Sequence, residues 1–182
     1  MQHIQICNPY SFTKLWTSTF LKTIAGSLFI ALCAQISIPL PFTPVPLTGQ
    51  TLAILFLGTT LGSRQAVAST FLYLFQCIIG LPVLAGGSVN PLVFIGPTAG
   101  YLFSMPLLAY LAGKASPQKS LFYNFAILQF ASILFLFLGT LRFAYMMDWS
   151  VAFFLGFFPF LAGDTLKVLI ITFYLTKQKR FE

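Results

Sequence analysis

Charged residues are scarce in this chain of 182 residues, which has ten Lys or Arg, three Asp or Glu and one His. They make up 7% of the sequence, whereas soluble domains average about 25%. Hydrophobic residues make up 58%, and the mean hydropathy is +0.89. This composition excludes a soluble globular domain. We predict an all-α membrane protein that forms one domain and contacts lipid over most of its length.

Cysteine and histidine are also too few for two common kinds of site. Cys7, Cys33 and Cys77 are too widely spaced for a disulfide framework, and the single His3 leaves no His/Cys cluster for a metal. The net charge of +7 comes from bases scattered between apolar segments. Because they form no basic stripe, we expect no nucleic-acid partner. Because there is no His/Cys cluster, we expect no bound metal.

Three catalytic motifs are absent from the sequence. There is no Gly-x-x-x-x-Gly-Lys-[Ser/Thr] phosphate loop, no His-Glu-x-x-His and no Gly-x-Ser-x-Gly. The chain therefore does not hydrolyse ATP through a phosphate loop, and we do not expect it to be an enzyme.

Six apolar segments are separated by short polar or proline-rich connections, and each is predicted to be a transmembrane helix. They cover residues 23–38, 48–61, 65–81, 96–113, 121–147 and 151–176. The predicted organisation is a cytoplasmic N-terminal segment (1–22), a six-helix transmembrane domain (23–176) and a basic cytoplasmic tail (177–182). The connections 39–47 and 82–95 are uncharged and rich in Pro and Gly. Such loops can cover a cavity at membrane depth.

The basic residues orient these helices. If the N-terminus is inside, the only base at an external helix end is Arg142. The cytoplasmic ends then hold Lys14, Lys22, Arg64, Lys114, Lys119, Lys177, Lys179 and Arg180. This asymmetry follows the positive-inside rule and predicts that both termini are cytoplasmic.

Asp164 and Lys167 lie within the last apolar segment, three residues apart. On a helix this spacing places both side chains on one face, close enough to pair. An ionisable group inside a membrane costs at least ~2.5 kcal/mol and usually marks a functional site. The pair either contacts a ligand or neutralises itself and holds the last helix against its neighbours.

Four motifs occur in order along the chain. They are residues 44–49, Gly-Leu-Pro-Val-Leu-Ala-Gly-Gly at 80–87, Gly-Pro-Thr-Ala-Gly-Tyr at 96–101, and Gly-Asp-x-x-Lys at 163–167. Together they resemble the biotin transporter BioY family, the substrate-binding (S) components of energy-coupling-factor (ECF) vitamin transporters. The resemblance covers roughly residues 20–176.

The resemblance implies a compact six-helix protein in the cytoplasmic membrane of a bacterial-type cell. Biotin would be captured from outside as the transported ligand, in a pocket closed by the loops after the first and third helices. The family works with a membrane scaffold subunit and two ATPase subunits. No cofactor is implied.

By the same resemblance, Asp164 and Lys167 match the family's pair near the biotin ring system. A carboxylate only accepts hydrogen bonds, which suits the two N–H groups of a ureido ring. An ammonium group only donates, which suits the ureido carbonyl or the ligand carboxylate.

Further candidates lie on the two proline- and glycine-rich loops. Asn90 either binds the ligand through its amide or caps a turn, which Asn-Pro favours. Gly86 and Gly87 permit a tight turn and the close approach of a flat ligand. Thr43 and Gln50 flank the proline-rich loop and are within reach of a pocket there.

Three other residues complete the predicted site. Tyr101 either stacks on the bicyclic ring or anchors a helix at the membrane interface. Ser27 and Ala31 form a small-xxx-small pair, which allows a scaffold helix to dock closely or allows packing within the chain.

Two other functions remain open from the sequence. The first is an S component for another small vitamin, such as lipoate or thiamine. The second is an intramembrane enzyme that uses Asp164 as an acid or base.

Overall fold

The computed structural model describes the backbone of residues 9–179 and the side chains of residues 18–179. Residues 1–8 of the predicted N-terminal segment and residues 180–182 of the predicted basic tail lie outside this range, as does the side chain of Lys14. Seven α-helices make up most of the described chain. They are α1 (Pro9–Ala34), α2 (Gln50–Leu61), α3 (Ser63–Ile78), α4 (Ala99–Ala112), α5 (Leu121–Ala144), α6 (Trp149–Gly156) and α7 (Phe158–Gln178).

The first helix begins and ends earlier than the prediction of 23–38. Its end is earlier because Ser37 and Ile38 belong to a strand. This strand, β1 (Ser37–Ile38), pairs antiparallel with β2 (Leu47–Thr48), and Ser37 lies opposite Thr48. The two strands close the loop that contains Pro39, Pro41, Pro44 and Pro46. Proline has no N–H to donate and restricts the residue before it, so this stretch cannot continue the helix.

Several other predicted boundaries differ from the structure by two or three residues, and α5, for example, ends at Ala144 instead of residue 147. The third helix ends at Ile78 instead of residue 81, and the fourth begins at Ala99 instead of residue 96. The segment between them contains two short 3₁₀ turns, Ala85–Gly87 and Pro91–Phe94.

The last predicted segment, 151–176, is two helices that meet at Phe157. Pro159 lies in the first turn of α7, where its missing N–H would break a continuous helix. The carbonyl of Gly156, at the end of α6, accepts a hydrogen bond from the Tyr101 hydroxyl at 2.7 Å. The break is therefore fixed by a local proline and by a contact from α4.

The helices pack around α2, which contacts α1, α3, α4 and α7. At ~1.5 Å per residue its twelve residues span only about 18 Å, less than the ~30 Å hydrocarbon layer. Within the described residues, two helical stretches are long and apolar enough to cross a membrane: Leu121–Ala144 and Trp149–Gln178, with mean hydropathy of 2.0 and 1.7. The shorter apolar helices are Ser18–Ala34, Gln50–Leu61 and Ala99–Ala112.

The core runs through the bundle, and most exposed large side chains are apolar. Ile54, Leu55 and Leu128 are fully buried, whereas Phe71, Phe103 and Phe173 are more than half exposed. An apolar exterior around a packed interior is what a lipid-facing bundle requires, because hydrocarbon does not penalise exposed Phe or Leu.

Candidate functional site

A cavity of about 680 Å³ opens between the loops and the helices at one end of the bundle. Its wall comes from residues 37–51, from the segment 84–98 and from α4, α5 and α7. The two loops that the sequence indicated as possible covers therefore meet over a single cavity. Much of the helical wall is apolar and is formed by Leu102, Met105, Phe135, Leu136 and Phe160.

Asp164 lies in this wall and is 2% exposed. It follows Phe160 by one helical turn on the buried face of α7. Its Oδ1 accepts hydrogen bonds from Lys167 Nζ at 2.8 Å and from Thr51 Oγ1 at 3.2 Å. Its Oδ2 accepts one from Ser132 Oγ at 3.3 Å. The carboxylate is thus held by groups from α2, α5 and α7.

Lys167 also lines the cavity, and it forms the one ion pair found among the described residues. Its Nζ donates to Asp164 Oδ1, to Thr51 Oγ1 at 2.6 Å and to the carbonyl of Thr48 at 2.9 Å. An ammonium group has three protons, and these three acceptors account for all of them.

Asp164 and Lys167 differ in the hydrogen-bonding positions that remain available to a ligand. Lys167 must release one of its three acceptors before it can donate to anything else. A carboxylate has about four acceptor positions, and three of those on Asp164 are in use. One position on Oδ2 remains open for an N–H donor. The pair is electrically neutral as a unit, which reduces the cost of keeping it in an apolar interior.

Thr51 and Ser132 were not identified from the sequence. Both are buried, at 6% and 1% exposure. The only sequence signal is that each is a hydroxyl residue in an apolar helix, which describes many membrane residues that simply bond their own backbone. Their role depends on α2 and α5 being adjacent to α7, and that is a tertiary feature.

Asn90 and Thr43, two of the candidate ligand-binding residues, both line the cavity. Asn90 Oδ1 accepts a hydrogen bond from the backbone N–H of Leu92 at 3.1 Å, so the residue also caps the short turn that follows it. Thr43 Oγ1 accepts one from the N–H of Val45 at 3.3 Å. Both side-chain oxygens therefore shape the loops as well.

Gln50 lines the cavity, but its amide is engaged on both sides. Its Oε1 accepts a hydrogen bond from Thr48 Oγ1 at 2.9 Å, and its Nε2 donates to the Tyr73 hydroxyl.

Tyr101 lines the cavity through its ring, which meets Phe135 edge-on with centroids 5.8 Å apart. Its hydroxyl donates to the Gly156 carbonyl and lies 3.2 Å from Thr140 Oγ1. Tyr101 is only 6% exposed, so the structure places it inside the bundle, in the wall of the cavity.

Gly86 and Gly87 are not among the lining residues, although Ala85 and Ser88 on either side are. Their φ angles of 64° and 73° lie in the left-handed region, where glycine has no steric penalty. The structure therefore supports the turn-forming role of these glycines, and it does not place them against a ligand in the cavity.

Ser27 and Ala31, for which the sequence left open docking to a scaffold or packing within the chain, are both buried. Ser27 is 0% exposed and Ala31 is 7% exposed. Ser27 Oγ donates to the carbonyl of Ile24 and accepts from Gln76 Nε2 on α3. The small residues allow α1 to pack against α3 within the chain, so in this conformation they offer no surface to another subunit.

Within the part of the chain that the structure describes, no group of three or more His, Cys, Asp or Glu side chains could hold a metal ion. The polar chemistry of the cavity is that of hydroxyl, amide and carbonyl groups around one ion pair.

A sequence profile described as the BioY family matches residues 8–181. The chain belongs to the BioY family. This confirms the resemblance indicated by the four motifs. A BioY relative, "Biotin transporter BioY2" of Lactococcus lactis subsp. cremoris, is 33% identical over 166 residues, which cover 89% of both chains. Another, "Biotin transporter BioY" of Thermotoga maritima, is 32% identical over 167 residues, covering 88% of this chain and 97% of the relative.

The fold is also known from a crystal structure. The S-component for biotin from an ECF-type ABC transporter superimposes with a TM-score of 0.81 at 24% identity, over 92% of this BioY-family chain and 93% of that one. This likeness confirms the predicted mostly helical S-component fold.

Proposed function

We propose that this chain binds biotin and serves its uptake across the cytoplasmic membrane as the substrate-capture component of an ECF transporter. The observation that carries the proposal is the buried Asp164–Lys167 pair in the wall of a 680 Å³ cavity, in a chain of the BioY family. The relatives described above are named as biotin transporters.

The chemistry of the cavity suits the two ends of biotin. The open acceptor position on Asp164 Oδ2 suits a ureido N–H, and the apolar wall suits the sulfur-containing ring and the aliphatic chain. Lys167 becomes available to the ureido carbonyl or to the ligand carboxylate when it gives up one of its present acceptors. Asn90 and Thr43 supply further polar groups from the loops.

Two alternatives are less well supported. The BioY family is a transporter family, which argues against an intramembrane enzyme that uses Asp164. An S component for lipoate or thiamine would have to use the same ion pair, but lipoate has no ureido N–H to offer Asp164.

Uptake driven by ATP requires other subunits, because the sequence contains no phosphate loop. We propose a membrane scaffold subunit and two ATPase subunits as these partners. The structural neighbour is itself a component of an ECF-type ABC transporter.

We also propose six spans, with α6 and α7 forming the last one and both termini cytoplasmic. The contacts support this arrangement. Ser63 Oγ at the start of α3 donates to the Tyr110 carbonyl near the end of α4, so both lie at the end of the bundle that carries Arg64 and Lys114. The cavity loops connect the opposite ends of these helices. The basic end would face the cytoplasm and the cavity would open outside.

Equilibrium binding of labelled biotin to the purified chain tests the function, with lipoate and thiamine as competitors. We expect saturable binding of one biotin that neither competitor displaces. Absence of biotin binding, or displacement by thiamine, would contradict the proposal.

Topology is tested with a single cysteine at Ser88, in a background without Cys7, Cys33 and Cys77. We expect an impermeant thiol reagent to label this cysteine in intact cells, because Ser88 is exposed on the cavity side. A cysteine at Gln118, exposed in the loop between α4 and α5, is the matched control and should react only after permeabilisation. The reverse pattern would refute the orientation.

A further inference from the structure

The segment from Val83 to Ile95 connects α3 to the turn before α4 and supplies much of the cavity's loop wall. Leu84, Ala85, Ser88 and Asn90 all line the cavity. The segment contains no strand and only two short 3₁₀ turns, so its position depends on contacts with the helices.

The start of this segment is held by Tyr73 on α3. This side chain is 0% exposed, and its hydroxyl donates to the carbonyl of Val83 at 3.1 Å. The same hydroxyl accepts a hydrogen bond from Gln50 Nε2. Tyr73 is not among the residues that line the cavity, and its hydroxyl joins the segment to Gln50 on α2.

The hydrogen bonds continue from Gln50 to the ion pair. Gln50 Oε1 accepts from Thr48 Oγ1, and the carbonyl of Thr48 accepts from Lys167 Nζ at 2.9 Å. Lys167 in turn donates to Asp164. A chain of polar groups therefore runs from the ion pair on α7, through Thr48 in β2 and Gln50 in α2, to Tyr73 and the carbonyl of Val83. Its links are hydrogen bonds except within Thr48, where the carbonyl and the hydroxyl are joined covalently.

The far end of the segment is fixed separately. Arg142 Nη2 donates to the carbonyl of Ile95 at 2.6 Å. This contact gives a structural role to Arg142, the one basic residue that the sequence analysis places at an external helix end. Besides the packing of Leu84 in the core, one backbone carbonyl near each end of the segment thus accepts a hydrogen bond from a helix side chain. The Tyr73 end is the one that the chain of polar groups joins to the ion pair.

We propose that Tyr73 is a positioning residue for ligand binding, which couples the segment 83–95 to the Asp164–Lys167 pair. This inference rests on the proposed function of the cavity as the biotin site. A ligand that draws Lys167 away from the Thr48 carbonyl changes the acceptor at one end of the chain. The chain transmits this change through Thr48 and Gln50 to the hydroxyl that holds Val83.

Tyr73→Phe tests the coupling, because it removes only the hydroxyl and keeps the buried ring. We expect biotin to dissociate from the purified chain roughly three- to tenfold faster. This is the effect of losing one net hydrogen bond that stabilises the segment 83–95 over the bound ligand. Tyr110→Phe is the matched control. Tyr110 is 46% exposed, lies over Lys114 away from the cavity, and should leave biotin dissociation unchanged.

A second measurement separates positioning from general stability. A cysteine at Ser88 should react faster with a thiol reagent in the Tyr73→Phe background, and added biotin should protect it less than in the wild-type background. Gln50→Leu interrupts the chain one step earlier. The double variant Gln50→Leu/Tyr73→Phe should release biotin no faster than the more affected single variant, because both changes break the same chain.

Two results would overturn the inference. One is a lower melting temperature of Tyr73→Phe with unchanged biotin dissociation and unchanged labelling of the Ser88→Cys variant, which would make the hydroxyl purely structural. The other is fully additive effects of the two single variants. If the wild-type chain binds no biotin, the proposed function fails instead. The labelling of the ligand-free Ser88→Cys variant, with and without Tyr73→Phe, still tests whether Tyr73 holds the segment.

Discussion

Asp164→Asn separates the ligand-accepting role of this side chain from its structural role. The carboxamide has the same shape, and its oxygen can stay at the Oδ1 position to accept from Lys167 and Thr51. The NH₂ group then replaces Oδ2, where the Ser132 hydroxyl can rotate to accept from it. The one open acceptor position becomes a donor and opposes the N–H group of the ligand.

The expected loss follows from the energy of one charged hydrogen bond. Losing such a bond costs about 1.5–3 kcal/mol, which corresponds to roughly 10- to 150-fold weaker biotin binding. The substitution also leaves Lys167 without an anionic partner. Breaking a buried pair costs about 3–5 kcal/mol. Because the lysine side chain is 14% exposed, we expect the lower end of this range as a loss of stability.

Biotin affinity by titration calorimetry and thermal stability in detergent should be measured on the same preparations. Asp148→Asn is the matched control. Asp148 is exposed and caps α6 by accepting from the N–H of Ser150, and Asn caps equally well, so neither quantity should change.

Lys167→Met, alone and combined with Asp164→Asn, completes the set. If both residues contact biotin, each single variant and the double variant bind more weakly. A folded Asp164→Asn variant with wild-type affinity would refute the assignment. Restored stability and affinity in the double variant would mean that the pair only neutralises itself.

Three further predictions concern neighbouring contacts. Thr51→Val should weaken biotin binding by about tenfold, because it removes the hydroxyl that contacts both members of the ion pair. Thr51→Ser keeps the hydroxyl and should bind normally. Equal loss in both variants would indicate that Thr51 acts through packing. Ser27→Leu or Ala31→Leu should lower the melting temperature, because overpacking the buried contact between α1 and α3 costs about 1–3 kcal/mol of stability. A variant that keeps wild-type stability but no longer assembles with other subunits would contradict the burial of these residues. Gly139→Ala should weaken both stability and biotin binding, because the added Cβ would overlap the Tyr101 ring; an unchanged melting temperature would show that the ring can move.

The helical membrane class and the approximate positions of most helices followed from the sequence. Both depend on local properties, namely long apolar runs interrupted by prolines, glycines and charges. Two of the boundaries that were wrong involve contacts with other parts of the chain. Ile38 is not part of α1 because it pairs with Leu47 in a strand. The end of α6 is fixed by a hydrogen bond from the Tyr101 hydroxyl on α4. Pro159 was a local sign of that break.

The ion pair was predictable for the same reason, because a spacing of three residues on one helix decides that Asp164 and Lys167 lie together. Thr51 and Ser132 reach this pair from two other helices, and no spacing in the sequence connects them to it. The sequence therefore determined the class of the protein and the charged centre of its cavity. Only the tertiary structure decided which hydroxyl groups hold that centre, that Ser27 and Ala31 are buried, and how Tyr73 is connected to it, because these depend on which helix faces pack together.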